Sequence, residues 1–150
     1  MPITIWSGSL PSAQPDPAGP RVRASGCQQM VGFRIDLSHA DGHARCHLDI
    51  GAQHLNSQDV LHGGIIAMVM DVACGNAASA YFDRQEHPPV VTVSLNTNYL
   101  AAVDRGRVTG IGRVTGGGRK LAYVNGELLH EDGTLIATAT GVFKRHRLVR

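Results

Sequence analysis

Asn56-Ser57-Gln58-Asp59-Val60-Leu61-His62-Gly63-Gly64-Ile65-Ile66-Ala67-Met68-Val69-Met70-Asp71 decides how the rest of this chain is read. The stretch opens as a polar loop, passes a His-Gly-Gly, and becomes an apolar run of small residues that continues to Phe82. Gly63 and Gly64 would weaken an isolated helix, but at a helix start they let another group approach bare backbone N–H donors. From Ile65 the run has helix length and is apolar on nearly all sides, with Ala67, Ala73, Ala77, Ala78 and Ala80 keeping it thin. Such a helix must be enclosed, and we expect a sheet on one side and a second chain on the other. Inside it sits one carboxylate, Asp71, and an acid there costs stability unless something compensates it. Counting by turns, Gly64, Ala67, Met68, Asp71, Cys74, Gly75 and Ala78 share one stripe, so the carboxylate should look out from a groove of small residues.

On either side of this run the pattern is that of strands. Upstream, Val31, Phe33, Ile35 and Leu37 alternate with polar or small residues, Asp41-Gly42 makes a turn, and Ala44, Cys46, Leu48 and Ile50 resume the alternation. A period of two joined by Asp-Gly predicts a β-hairpin. His43 and His47 share a face of its second strand with Arg45 and Asp49, which reads as a solvated face rather than a metal pair. Downstream of Pro88-Pro89, four strand-like segments follow: Val90–Leu100, Arg107–Thr115, Lys120–Leu129 and Thr134–Lys144. Their connections are short, which favours antiparallel neighbours. The predicted fold is α+β, one central helix against an antiparallel sheet.

At 150 residues the chain is expected to form one domain over 26–150, preceded by an irregular Pro-rich arm over 1–25 that holds five of the seven prolines. Within that arm, Ile3-Thr4-Ile5-Trp6 is a candidate edge strand. Three cysteines without CxxC or CxxH spacing argue against a disulfide framework and a structural zinc site. A net charge of +2, 5% aromatics and no long basic run interleaved with stacking residues give nucleic-acid binding little support. The basic end from Lys144 to Arg150 reads as a solvated tail. A membrane span over Gly63–Phe82 is disfavoured, because Asp71 near its centre would cost about 2.5–3.5 kcal/mol. With no signal peptide visible, a cytoplasmic protein is expected.

Two features carry chemistry. His62-Gly63-Gly64 is either a surface histidine beside loop glycines or an anion or oxyanion site at a helix start, where N–H groups and dipole point the same way. Asp71 is either a buried acid bonded to its neighbours or a base or nucleophile tuned by partial burial. Gly63 and Asp71 are separated by about 12 Å along one helix. Donors near Gly63 therefore cannot polarise a carbonyl that Asp71 of the same helix attacks. The two converge if two such helices pack antiparallel about a two-fold axis, giving two equivalent sites per dimer. The loop Gly116-Gly117-Gly118-Arg119-Lys120 lies between strands and lacks P-loop spacing; it reads as a hairpin turn whose Arg119 and Lys120 are candidates to meet a phosphate.

The pattern Asn56-x5-His62-Gly63-Gly64-x6-Asp71, followed by Val91-Thr92-Val93-Ser94-Leu95-Asn96-Thr97-Asn98-Tyr99-Leu100, resembles the hotdog-fold acyl-CoA thioesterases. Within them it is most similar to the phenylacetate-pathway (PaaI-like) and mammalian thioesterase-superfamily-member-2 type, over about Val31 to His146. The resemblance implies that Asp71 is the catalytic carboxylate, activating water or attacking the thioester. It also implies that the Gly63 N–H polarises the carbonyl, that Asn56 and His62 hold the carbonyl or the water, and that Thr92 lies near the water. Sites across a homodimer interface, and dimers that pair into tetramers, are implied in the same way. Asp59 stands where the family usually has Gly, and Ala101 or Ala102 where it often has Pro.

The expected activity is hydrolysis of an acyl-CoA thioester to free acid and CoA, with no metal and no cofactor beyond the CoA of the substrate. Gly64 is expected beside the substrate, with Arg119, Lys120 and Lys144 near the CoA phosphates. Met68, Met70, Val72, Tyr81, Phe82 and Tyr99 either shape an acyl pocket or are ordinary core. The competing class is a non-catalytic module that senses or sequesters acyl-CoA, which the presence of Asp71, His62-Gly63-Gly64 and Asn56 disfavours.

Overall fold

The computed structural model describes residues 24–146. The 1–25 arm, apart from Ala24 and Ser25, the Ile3–Trp6 strand and the last four residues of the basic end lie outside the described residues. A short helix α1 (Gly26–Val31) precedes strands β1 (Arg34–Asp36) and β2 (Ala44–Asp49). A 3-10 turn at Ala52–His54 leads through a loop into the long helix α2 (Gly63–Phe82). Four strands complete the chain: β3 (Val90–Tyr99), β4 (Arg107–Gly117), β5 (Leu121–His130) and β6 (Leu135–Arg145). All six strands join one antiparallel sheet in the order β1-β2-β4-β5-β6-β3, with α2 laid against it.

The seat of the helix is written in small residues. Register aligns Ala44, Gly112, Gly126, Ala139 and Thr97 in one row across five strands. A Cβ built on Gly112 would come within 2.5 Å of the Ala73 carbonyl oxygen and 2.9 Å of the Ala77 Cβ. One built on Gly126 would meet the Cys74 sulfur at 2.7 Å. The alanines of α2 and the glycines of β4 and β5 therefore let helix backbone approach strand backbone with no side chain between them. Around this track Ile66, Val69, Met70, Leu48, Val108, Leu128, Ile136 and Phe143 close the core. By length and composition α2 could cross a bilayer, but here one side of it is packed on the sheet.

Two expectations are corrected. Residues up to Val31 form a helix rather than the start of a strand, and the first strand is three residues long. The Ser25 hydroxyl caps α1 by accepting from the Gln28 N–H at 3.1 Å, and Gly32 ends it at φ +85°. These local bonds override the alternation of Val31 and Phe33. Second, β3 does not neighbour β4 but pairs with β6 at the edge of the sheet. Three strand spacings, about 14 Å, separate β3 from β4, and a seven-residue link can span about 23 Å. The short connection therefore crosses the end of the sheet, held by the Leu100 and Ala101 N–H groups on the Ile136 carbonyl.

Candidate active site

The loop between the 3-10 turn and α2 folds back on itself. Leu55 bridges Leu61, and the Asn56 N–H donates to the Val60 carbonyl at 2.8 Å. The Asn56 side-chain oxygen accepts from the Gln58 and Val60 N–H groups at 2.9 and 3.3 Å. That network fixes the amide orientation and turns the two Asn56 amide hydrogens outward from the turn. Asp59 closes the turn at φ +57°, the left-handed region that glycine enters without strain. This is the position where the resembled family usually carries Gly, and Asp is among the few other residues that tolerate it.

His62 is the N-cap of α2, and its Nδ1 accepts from the Gly64 N–H at 2.8 Å. The ring proton therefore sits on Nε2, at the exposed edge of the side chain. The His62 carbonyl takes the Ile65 and Ile66 N–H groups at 2.9 and 3.1 Å. Of the four first-turn donors, only the Gly63 N–H has no acceptor among the described residues. A Cβ on Gly64 would crowd the His62 ring at 3.1 Å, so the cap needs glycine there. Gly63 is flanked by Tyr99, whose hydroxyl donates to the Gly63 carbonyl at 3.1 Å.

Asp71 lies two turns further along, partly exposed, and its Oδ1 accepts from the Thr92 hydroxyl at 2.7 Å. Helix and edge strand thus run antiparallel, with Gly63 beside Tyr99 at one end and Asp71 beside Thr92 at the other. The expected stripe is split. Cys74 and Ala78 are fully buried against the sheet, whereas Gly64, Ala67, Met68, Asp71 and Gly75 are not. Seven residues on a helix span more than one face, and Asp71 lies at the seam. Burial pushes the Cys74 thiol up to about 12, with the Asp71 charge adding to it, and burial alone does the same to Cys46. Neither cysteine is a nucleophile at neutral pH.

Residues 58–137 match the thioesterase superfamily. The chain belongs to it. A putative esterase of Pseudomonas aeruginosa, PA0474, is 28% identical over 130 residues, covering 86% of this chain and 95% of that protein. The medium/long-chain acyl-CoA thioesterase YigI of Salmonella typhimurium is 32% identical over 98 residues. That match covers 58% of this chain and 63% of YigI, less than two thirds of its length. In fold, the chain superposes on the PaaI protein of the Escherichia coli phenylacetic acid degradation operon with a TM-score of 0.68. The two are 20% identical, over 82% of this chain and 86% of PaaI. The sheet wrapped on one long helix is accordingly the hotdog fold, as the sequence pattern implied.

In this thioesterase-superfamily chain, the remaining sequence-derived candidates fall in two places. Thr92 joins Asp71; His62, Gly63 and Gly64 meet at the helix N-terminus, and Asn56 lies in the loop that leads into it. Arg119, Lys120 and Lys144 form a separate group at one end of the sheet, where Leu121 pairs with Lys144 and the Lys120 carbonyl accepts from the Arg145 N–H. None of the three takes part in an ion pair among the described residues. Met70 is fully buried core, whereas Met68 and Val72 stand on the half-open side of α2. His47 bonds Thr109 at 2.9 Å, and no metal-binding cluster occurs among the described residues. Sequence reasoning missed the contact of Tyr99 with Gly63 and the part played by His54. The pairing of a strand aromatic with a helix glycine has no local signal; His54 had one, a lone histidine two residues before Asn56.

Proposed function

We propose that the protein is an acyl-CoA thioesterase whose two active sites are each shared between two copies of the chain. The observation that carries this reading is the pair of groups on one open helix side: a Gly63 N–H without an acceptor among the described residues and an Asp71 carboxylate steadied by Thr92. Their separation of about 12 Å along one helix means that a single thioester carbonyl cannot use both from one chain. Strand β3 supplies the means of bringing a second chain. It is a ten-residue edge strand, and Val91, Val93 and Tyr99 on it, with Leu100 just after, are 45, 59, 55 and 56% exposed. Such an edge favours pairing with another strand. Two β3 strands paired about a two-fold axis would set the two α2 helices antiparallel, with the Gly63 end of one near the Asp71 of the other. Two such dimers would join in turn as a tetramer, while one dimer completes both sites.

In this mechanism the Gly63 N–H donates to the thioester oxygen and Asp71 of the other protomer takes a proton from water as the water attacks the carbonyl carbon. The tetrahedral oxyanion collapses, the C–S bond breaks, and CoA leaves as a thiolate that is protonated in turn. Alternatively, Asp71 attacks the carbonyl carbon directly, the C–S bond breaks to expel the CoA thiolate, and water then hydrolyses the resulting mixed anhydride to free acid and the Asp71 carboxylate. The exposed His62 Nε2–H and the outward Asn56 amide would hold the carbonyl or the water. Arg119, Lys120 and Lys144 would meet the phosphates of CoA. The name of YigI supports acyl-CoA as the substrate class.

Asp71→Asn keeps the side-chain shape and removes the base. It should lower kcat about 10²–10⁴-fold while leaving the oligomeric state unchanged. Thiol release from short, long and aryl-acetyl CoA, and from an acyl-carrier-protein thioester, measures this. Undiminished turnover by the variant would sink the assignment. Saturable acyl-CoA binding without turnover by the unaltered protein would identify a sensing module instead. After a single turnover in ¹⁸O-water, label in Asp71 would establish the nucleophilic route with water attacking the Asp71 carbonyl carbon, because the general-base route puts label in the product acid alone.

A further inference from the structure

We infer that His54 is a positioning residue for the proposed active site, holding the loop that carries Asn56 and His62 in register with the start of α2. This rests on the thioesterase reading above for its kinetic consequence, though not for its structural one. His54 is 3% exposed, one of two buried polar residues among those described. Its ring bridges two segments distant in sequence. Nδ1 accepts from the Gly51 N–H at 2.9 Å, so the proton is on Nε2, which donates to the Val31 carbonyl at the end of α1 at 2.8 Å. Its main chain does a third job: the His54 carbonyl accepts from the His62 N–H at 2.9 Å.

These bonds form a continuous chain of constraint. It runs from Val31 through the His54 ring to the His54 carbonyl, then to the His62 N–H, and from the His62 ring to the Gly64 N–H. The Gly63 donor lies between its last two links. Rotating or losing the imidazole would release Gly51 and Val31, and the strand-like segment that fixes His62 would shift with them. Both ends of the ring are used, so a side chain that only fills the volume cannot replace it. Leaving the half-buried Gly51 N–H and the carbonyl of buried Val31 without these partners would itself favour rearrangement.

The test compares His54→Phe, which keeps the ring volume and loses both polar contacts, with His54→Gln, whose amide can accept and donate at once. Nitrogen-15 NMR of the His62 imidazole reports the loop directly. We expect a single Nε2–H tautomer in the unaltered protein and in His54→Gln, and a mixture of tautomers in His54→Phe. With the acyl-CoA turned over fastest, kcat of His54→Phe should fall about 10–100-fold with KM changed less than about threefold, as a misplacement of about 1 Å would cause. His54→Gln should recover kcat to within about fivefold of the unaltered protein. If His54→Phe does not fold, His54→Asn takes its place; its shorter amide cannot span Gly51 and Val31 together, and it should show the same two losses. Unchanged kcat and an unchanged His62 tautomer in the folded Phe or Asn variant would overturn the inference. Asp71→Asn run beside them separates the two readings: full activity there refutes the proposed function, while the His62 signal still decides His54.

Discussion

Placing one methyl group at Gly112 tests the seating of the central helix. The Cβ of Gly112→Ala would lie 2.5 Å from the Ala73 carbonyl oxygen and 2.9 Å from both the Ala73 carbonyl carbon and the Ala77 Cβ. None of these atoms belongs to a flexible side chain, so no rotamer change can make room. Reaching an ordinary contact of about 3.4 Å requires the helix to lift by about 0.9 Å. Overpacking of a tight core costs about 1–3 kcal/mol, and a clash with backbone belongs at the upper end. For a chain of this size, about 3 kcal/mol corresponds to a fall in Tm of about 6–12 °C. Lifting α2 would also stretch the 2.7 Å bond between Thr92 and Asp71, so turnover should fall in the molecules that remain folded. Gly118→Ala is the control, because a Cβ there meets nothing within 4 Å. Calorimetry and urea unfolding would measure both variants. If Gly112→Ala melts within about 2 °C of Gly118→Ala, the close helix–sheet approach is not what holds α2.

Two further outcomes are expected. Asp59 sits at φ +57°, so Asp59→Gly should hold stability within about 0.5 kcal/mol, whereas Asp59→Val should lose about 1–2 kcal/mol; equal losses in urea midpoints would refute the strain argument. His130 is raised above its ordinary value of 6.5, chiefly by its hydrogen bond to Asp132, whose carboxyl is held at about 2 by its bonds to Thr134 and His130. The histidine's contribution is full below pH 6.5 and lost as pH rises through its raised value; that of Asp132 is present above 3.8 and lost as pH falls through about 2. Tm measured between pH 5 and 9 should therefore show an alkaline decline that His130→Gln lacks, and parallel curves would count against it.

The central helix was legible because Ile65 to Phe82 is long and apolar on nearly all sides, and Asp71 within it disfavours a membrane span. The four later strands were legible from alternation, with bounds within two residues of those found. Helix α1 was not, because six residues are too few for a period of 3.6, although Ser25 and Gly32 were cap signals in plain view. The place of β3 was hidden for a different reason. Link length limits how far apart two strands can be, and it does not require them to be adjacent. At the site, residue types and spacing pointed to Asp71 and the His62-Gly63-Gly64 turn. They could not disclose the hydrogen bonds that leave Gly63 as the open donor, nor the ring of His54 that joins segments far apart in sequence.

The edge position of β3 also sets an order of events. Its hydrogen-bonded neighbour within the chain is β6, the last strand to leave the ribosome of those described. Until β6 is synthesised, Thr92 has no ladder to hold it against Asp71, and Val91 and Val93 have nothing beside them. Helix, loop and N-terminal donor can all exist earlier; the acid and its hydroxyl partner cannot be fixed together before the sheet is finished. Assembly of the site is therefore a late step of folding, and a nascent chain stalled before β6 would expose two unpaired sides of β3 to aggregation.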